Sequence, residues 1–83
     1  MTKQEFKNNI FNYFRVNSGM TITEAKKQLV REEEDGCSTI TVGNVTLMYT
    51  TNPNYAGGRR MGNGKGFYIR VCNNLASRQE IKI

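Results

Sequence analysis

A chain of 83 residues has room for one domain around one hydrophobic core, so we expect residues 1–83 to form a single small domain. Hydrophobic residues make up 37% of the chain and aromatic residues 10%, which argues against a disordered polymer. The formal net charge is +5, and no apolar run suits a membrane span or a signal peptide, so the composition excludes a membrane-spanning class and favours a cytoplasmic protein.

The charged residues are unevenly distributed along the chain. Four of the seven acidic residues form one run at 32–35, so the rest of the chain has twelve Lys and Arg residues against three acidic ones. Outside that run, the basic excess would attract a phosphate backbone or an acidic protein surface. A basic excess also occurs in small proteins that bind neither, and that interpretation stays open. The charge pattern therefore favours an anionic partner without naming it.

Two capping-box pairs precede amphipathic patterns near the N-terminus, Thr2 with Glu5 and Thr21 with Glu24. The apolar residues that follow recur at helical spacing, which predicts helices over 3–16 and 22–33. Their apolar stripes are Phe6, Ile10, Tyr13 and Phe14 in the first helix and Ile22, Ala25 and Leu29 in the second. Asn17, Ser18 and Gly19 should end the first helix, and Gly36 should end the second as a left-handed C-cap.

A β-hairpin is predicted over residues 38–51, where the hydrophobic pattern changes from a helical to a strand period. Gly43 and Asn44 lie where a two-residue turn would place them. The turn sets the register and pairs Val42 with Val45, Ile40 with Leu47, and Ser38 with Tyr49. This register collects the apolar side chains on one face and most of the threonines on the other.

A third strand is indicated by the alternation of Phe67, Ile69 and Val71. The tail at 75–83 has two interpretations, a short edge strand containing Ile81 and Ile83 or a frayed end. We therefore predict an α+β fold, with two N-terminal helices packed on a small antiparallel sheet of three or four strands.

A long connection at 52–66 joins the second and third predicted strands and contains five glycines. Connections of this length are uncommon in compact domains unless they are functional or mobile. Glycines let backbone N–H groups approach an anion closely, and nearby cations add charge, which suits a phosphate backbone. The predicted nucleic-acid-binding residues are Tyr55, Arg59, Arg60, Lys65, Tyr68 and Arg70. Tyr55 is expected to stack on a base, and Tyr68 with Arg70 to extend this surface onto an exposed strand face.

The loop has two other interpretations. One is a flexible, solvated hairpin whose basic residues only maintain solubility. The other is a nucleotide-binding loop, since residues 62–66 are glycine-rich and include Lys65. A Walker loop needs a Ser or Thr after its lysine and then a helix, whereas Gly66, Phe67 and a predicted strand follow here. We therefore expect no ATP or GTP site.

The side chains that common catalysis and metal binding require are missing from the sequence. There is no histidine, and Cys37 and Cys72 lack the spacing of zinc or redox motifs. Most carboxylates are bunched in one run rather than dispersed as an acid and base pair. We therefore expect two free thiols, no metal site, no cofactor and no enzyme activity.

The acidic run consists of Glu32, Glu33, Glu34 and Asp35. Negative side chains at the C-terminal end of a helix oppose its macrodipole, so a compensating partner is expected. The structural interpretations are ion pairs with the loop arginines or with the basic residues of the second helix, Lys26, Lys27 and Arg31. The functional interpretation is a protein-binding surface or an imitation of a phosphate backbone.

Together these features predict a small non-catalytic protein that docks on nucleic acid or a nucleoprotein complex through its basic glycine-rich loop. The alternative is a protein-protein interaction module or inhibitor that uses the acidic helix end and the loop to block a host protein. Phage or mobile-element accessory proteins, for example of the anti-CRISPR type, have this style of sequence. No membrane partner is expected, and a homodimer through an exposed sheet edge is a further prediction.

Overall fold

Two helices and four strands follow one another in the computed structural model, which describes residues 2–34, 36–55, 64–74 and 77–83. The elements are α1 (Lys3–Ser18), α2 (Ile22–Arg31), β1 (Cys37–Val42), β2 (Val45–Thr50), β3 (Gly66–Asn74) and β4 (Ser77–Lys82). The strands form one antiparallel sheet in the order β1-β2-β3-β4. The predicted α+β class is therefore confirmed, with four strands rather than three.

Both helices begin where the capping boxes predict. The Thr2 side chain accepts a hydrogen bond from the Glu5 backbone N–H at 3.1 Å, and the Thr21 side chain accepts one from Glu24 at 3.2 Å. These bonds satisfy backbone donors that the first turn of a helix otherwise leaves without partners. At its other end α1 is closed by Gly19, which has φ of 77° and donates its N–H to the Arg15 carbonyl.

The predicted end of α2 is wrong. The helix stops at Arg31 with Glu32 as its C-cap, rather than continuing to residue 33 with a glycine cap. Consecutive carboxylates oppose the negative end of the helix dipole, which disfavours another turn through this run. Gly36 does adopt a left-handed φ of 78°, but it does so in the turn into β1, where the Cys37 N–H donates to the Glu34 carbonyl at 2.8 Å.

The hairpin register and the third strand are as predicted. Val42 pairs with Val45, Ile40 with Leu47, and Ser38 with Tyr49. The tail adopts the edge-strand alternative, since Ile81 of β4 pairs with Ile69 of β3. The sheet therefore has β1 and β4 as its edges, and a homodimer through either edge stays a prediction.

The two sheet faces have different surroundings. On the helix-covered face, Phe14 of α1 and Leu29 of α2 are buried against Leu47 and Ile69 of the sheet. The helices pack mainly on β1 and β2, which leaves Phe67 of β3 only partly covered. The opposite face, here called the outer face, carries the alternate side chains of the strands. In the part of the chain that the structure describes, neither helix is long and apolar enough to cross a membrane.

Candidate functional site

A polar cluster of four side chains lies on the outer face where the long loop leaves and rejoins the sheet. The cluster consists of Tyr55, Tyr68, Arg70 and Glu80. Strand register brings three of them together, because Arg70 pairs directly with Glu80 and Tyr68 precedes Arg70 by two residues on the same face. Tyr55 comes from the loop and lies over the strands.

An ion pair forms the centre of this polar cluster. Arg70 Nε donates to Glu80 Oε2 at 2.7 Å, and the Tyr55 hydroxyl donates to Glu80 Oε1 at 2.9 Å. Arg70 Nη2 also lies 3.4 Å from the Tyr55 hydroxyl, as a donor to it. The Glu80 side chain is 5% exposed and that of Arg70 is 27% exposed. Both Glu80 oxygens therefore have donors, which a carboxylate removed from water requires.

Tyr68 lies beneath the loop, and the prediction that it lies on an exposed strand face is wrong. Its relative exposure is 0%, its ring centroid lies 4.7 Å from that of Tyr55, and its hydroxyl donates to the Gly64 carbonyl at 2.5 Å. The loop covers this part of the outer face and removes the ring from solvent. Tyr68 therefore supports the loop, and its ring offers no free surface for stacking a base.

Tyr55 and Gly64, which flank the segment 56–63, are joined by a backbone hydrogen bond. The Gly64 N–H donates to the Tyr55 carbonyl at 3.1 Å, and a turn at Asn52 precedes this bond, with the Tyr55 N–H donating to the Asn52 carbonyl at 3.2 Å. The predicted site residues Arg59 and Arg60 lie in this segment, outside the described residues. Their connection to the sheet is nevertheless defined, because the chain leaves and returns at one point on the outer face.

The surroundings of the cluster raise the pKa values of its tyrosines. Burial is the main cause for Tyr55, and the neighbouring Glu80 carboxylate adds to it. Burial is also the larger cause of the raised pKa of Tyr68, and the charge of Glu80 contributes less. For Arg70, burial opposes the charged form, but hydrogen bonds to Glu80 and Tyr55 outweigh it and leave the guanidinium pKa raised. The cluster therefore favours neutral phenols around one ion pair.

Alkaline titration should reveal these two phenols. Because their folded-state pKa values lie above the ordinary 10.0, the unfolded chain loses those protons first as the pH rises. The stability that these raised pKa values contribute is fully present below pH 10.0, and it is lost as the pH rises through the folded-state pKa values. Phenolate absorbance, compared between the native protein, Tyr55→Phe and Tyr68→Phe, measures each contribution. If the phenolate signal that Tyr55→Phe or Tyr68→Phe removes titrates at or below pH 10.0, the raised pKa of that tyrosine is contradicted.

Further polar and basic side chains surround the cluster on the outer face. The Thr41 and Thr46 hydroxyls lie 3.0 Å apart, and Thr39 beside them is exposed. Among the described residues of the loop and of β4, the exposed cations are Lys65, Arg78 and Lys82. Register places Lys82 beside Tyr68 and Arg78 beside Cys72, so the β4 cations follow the outer edge of this face.

The acidic run lies at the start of β1 and is held by neutral hydrogen-bond donors. Gln28 Nε2 donates to the Glu32 carboxylate, with a nearest distance of 3.3 Å, and the Thr51 hydroxyl donates to Glu33. Glu34 forms a backbone bridge with Cys37, and Asp35 lies outside the described residues. Within the described ranges, Lys26, Lys27 and Arg31 form no ion pair with this run.

The described residues offer little that suits metal or redox chemistry. Neither Cys37 nor Cys72, both among the described residues, forms a disulfide bond. Among residues 2–34, 36–55, 64–74 and 77–83, no group of three or more His, Cys, Asp or Glu side chains could hold a metal ion. What this region of the molecule can do is present hydroxyls and cations from a rigid sheet.

Sequence reasoning missed Glu80, the residue that joins the loop to the sheet. A signal existed, because Arg70 and Glu80 have opposite charge and occur in neighbouring strands if the tail pairs with β3. The tail was open to two interpretations, so the pair could not be assigned. Comparison with protein-family models, with curated proteins and with solved structures finds no match, and the functional argument therefore rests on the geometry of this chain.

Proposed function

We propose that this chain is a non-catalytic nucleic-acid-binding domain that contacts a phosphate backbone with its basic loop, residues 52–66, and the adjoining outer face. The observation that carries the proposal is the anchored base of the loop. Tyr55 and Gly64 bond to each other, and the polar cluster fixes both to the sheet. A basic segment held at one point loses less conformational entropy on binding than a free one.

The charge of the outer face supports this proposal. Arg78 and Lys82 are exposed there, Lys65 is exposed on the adjoining loop, and the sequence adds Arg59 and Arg60 in the segment between the two anchor residues. The acidic residue in the cluster, Glu80, is almost fully buried and paired with Arg70, so it reduces the surface potential less than an exposed carboxylate would. The resulting basic surface suits a polyanion.

The hydroxyls of β1 and β2 add a second kind of phosphate contact. Thr39 and Thr41 are exposed, and Thr46 bonds to Thr41 across the hairpin. Hydroxyl side chains commonly donate to phosphate and sugar oxygens, and such contacts position a protein without reading sequence. Tyr68 is buried and Tyr55 is committed to Glu80, which leaves few aromatic groups to stack on bases. We therefore expect binding that tolerates different base sequences.

The test is fluorescence anisotropy with short labelled single-stranded DNA, RNA and duplex DNA at several salt concentrations. The variant Lys65→Gln/Lys82→Gln is expected to bind about tenfold more weakly than the native chain, because two phosphate contacts are lost. The slope of log affinity against log salt should also become shallower, by about 1 to 2. Adding Arg59→Gln/Arg60→Gln should weaken binding further.

The matched control is Lys7→Gln/Arg15→Gln on α1, which removes the same charge far from the outer face. This control should stay within about twofold of the native affinity, apart from the general effect of net charge. Absence of binding by the folded native chain at low salt would overturn the proposal. An equal loss in both double variants would also overturn it, because attraction would then depend on net charge rather than on this surface.

The alternative, a protein-interaction module that uses the acidic helix end, has weaker support. Two carboxylates of the acidic run already accept hydrogen bonds, Glu32 from Gln28 and Glu33 from Thr51. Negative charge at the C-terminal end of a helix needs a compensating partner. These two hydrogen bonds supply such partners from within the chain. No described contact around Glu32, Glu33 or Glu34 favours a partner at this position.

A further inference from the structure

A second surface lies on the helix-covered face, away from the loop. An open cleft of about 510 Å³ separates α2 from β3 and is lined by Lys26, Lys27, Val30, Arg31 and Phe67. It exists because the helices pack mainly on β1 and β2, so that α2 does not reach across β3. The cleft and the outer face are on opposite sides of the sheet.

The floor of the cleft is apolar. Val30 is 49% exposed although it belongs to a helix whose stripe at Ala25 and Leu29 is fully buried. Phe67 is only partly buried, and its ring centroid lies 4.7 Å from that of Tyr49 in the neighbouring strand. A partner that removes this apolar area from water lowers the free energy of the complex. The floor consists of two apolar side chains, Val30 and Phe67, and is therefore of a size that suits one apolar side chain of a partner.

The rim of the cleft is basic. Lys26 Nζ lies 5.1 Å from the centroid of the Phe67 ring, and Lys27 and Arg31 are exposed at helical i, i+4 spacing. Within the described ranges, none of the three forms an ion pair. Lys27 and Arg31 repel each other slightly at this spacing, although Arg31 also lies in the last turn of α2, where the helix dipole favours a cation. An anionic occupant would relieve the repulsion.

We propose that this cleft docks an acidic segment of a partner protein that carries one bulky apolar side chain. The apolar side chain would enter between Val30 and Phe67, and flanking carboxylates would meet the three cations. Charge complementarity selects this occupant over the chain's own segment 56–63, which carries Arg59 and Arg60. Nucleic acid would meet the three cations but would leave the apolar floor between Val30 and Phe67 without an apolar partner, so a protein segment is preferred.

The probe is a fluorescein-labelled peptide of sequence Asp-Glu-Asp-Leu-Phe-Glu-Asp-Glu, titrated with the full chain at low salt. A second peptide keeps every charge and the Leu but replaces Phe by Ser, so that the two peptides differ by one bulky apolar side chain. We expect the first peptide to bind at least about tenfold more tightly than the second, because only the first fills the apolar floor. Equal affinity for the two peptides would overturn the proposal, since it would indicate attraction by net charge alone.

Two double variants locate the binding surface. Lys27→Gln/Arg31→Gln removes two rim charges and should weaken binding of the Phe-containing peptide about tenfold. Lys7→Gln/Arg15→Gln is matched to it, since Arg15 and Arg31 each lie in the last turn of their helix. This control should remain within about twofold of the native chain. Circular dichroism checks that both variants are folded, and an equal loss in both would overturn the assignment.

Two further measurements distinguish other occupants. A short oligonucleotide that displaces the peptide from the native chain but not from Lys65→Gln/Lys82→Gln would place the peptide on the outer face and overturn the proposal. Sedimentation that shows self-association abolished by Lys27→Gln/Arg31→Gln would assign the cleft to a second copy instead. Weakened peptide binding together with unchanged oligonucleotide affinity in Lys27→Gln/Arg31→Gln supports the proposal and leaves the nucleic-acid proposal to its own test.

Discussion

The variant Tyr68→Ala should lower the free energy of unfolding by about 3 to 5 kcal/mol, as expected for truncation of a large buried aromatic ring. The Tyr68 ring is fully buried between the sheet and the loop, where it packs against Tyr55. Its removal leaves a cavity and an unpaired Gly64 carbonyl. Total stability in a domain of this size is of the same order, so much of the variant should be unfolded. Urea denaturation followed by circular dichroism measures the change.

Tyr68→Phe separates the contribution of the ring from that of the hydroxyl. It keeps the ring and removes the hydrogen bond to Gly64, so we expect a loss of about 1 kcal/mol. A loss for Tyr68→Ala no larger than that for Tyr68→Phe would mean that the ring is exposed in solution, contrary to the structure. Such a result would also restore Tyr68 as a surface available for stacking.

The variant Glu80→Ala should destabilise the chain by about 2 to 3 kcal/mol. It leaves Arg70 charged in a site where only 27% of its side chain is exposed, and it removes the acceptor of the Tyr55 hydroxyl. Removing one member of a fully buried ion pair costs about 3 to 5 kcal/mol, and the partial exposure of Arg70 reduces this. The free energy of unfolding of Glu80→Ala, Arg70→Ala and the double variant gives the coupling between the two residues.

The double-mutant cycle should give a coupling energy of about 1 to 3 kcal/mol between Arg70 and Glu80. Arg78→Ala is the control on the same face, because that side chain is exposed, and it should change stability by less than about 0.5 kcal/mol. Additive effects of Arg70→Ala and Glu80→Ala would contradict the ion pair. They would also weaken the argument that the polar cluster anchors the base of the basic loop.

The sequence by itself determined the local geometry of this protein. The starts of both helices follow from Thr2 and Thr21, because a cap depends on residues within one turn of each other. The hairpin register follows from Gly43 and Asn44 together with the alternation around them, because a two-residue turn leaves one pairing that places the apolar side chains on one face. The α+β class follows from the same local patterns.

The tertiary structure decided which polar residues face solvent. Tyr68 alternates to the outer face as the sequence predicts, yet whether it is exposed depended on the path of the loop, which local patterns do not specify. The pairing of Glu80 with Arg70 required the tail to be a strand, and that depended on an edge of β3 being free to accept it. The cleft beside Phe67 exists because two short helices cover β1 and β2 and leave β3 partly open. Long-range packing sets these features, and no short stretch of sequence contains the residues that create them.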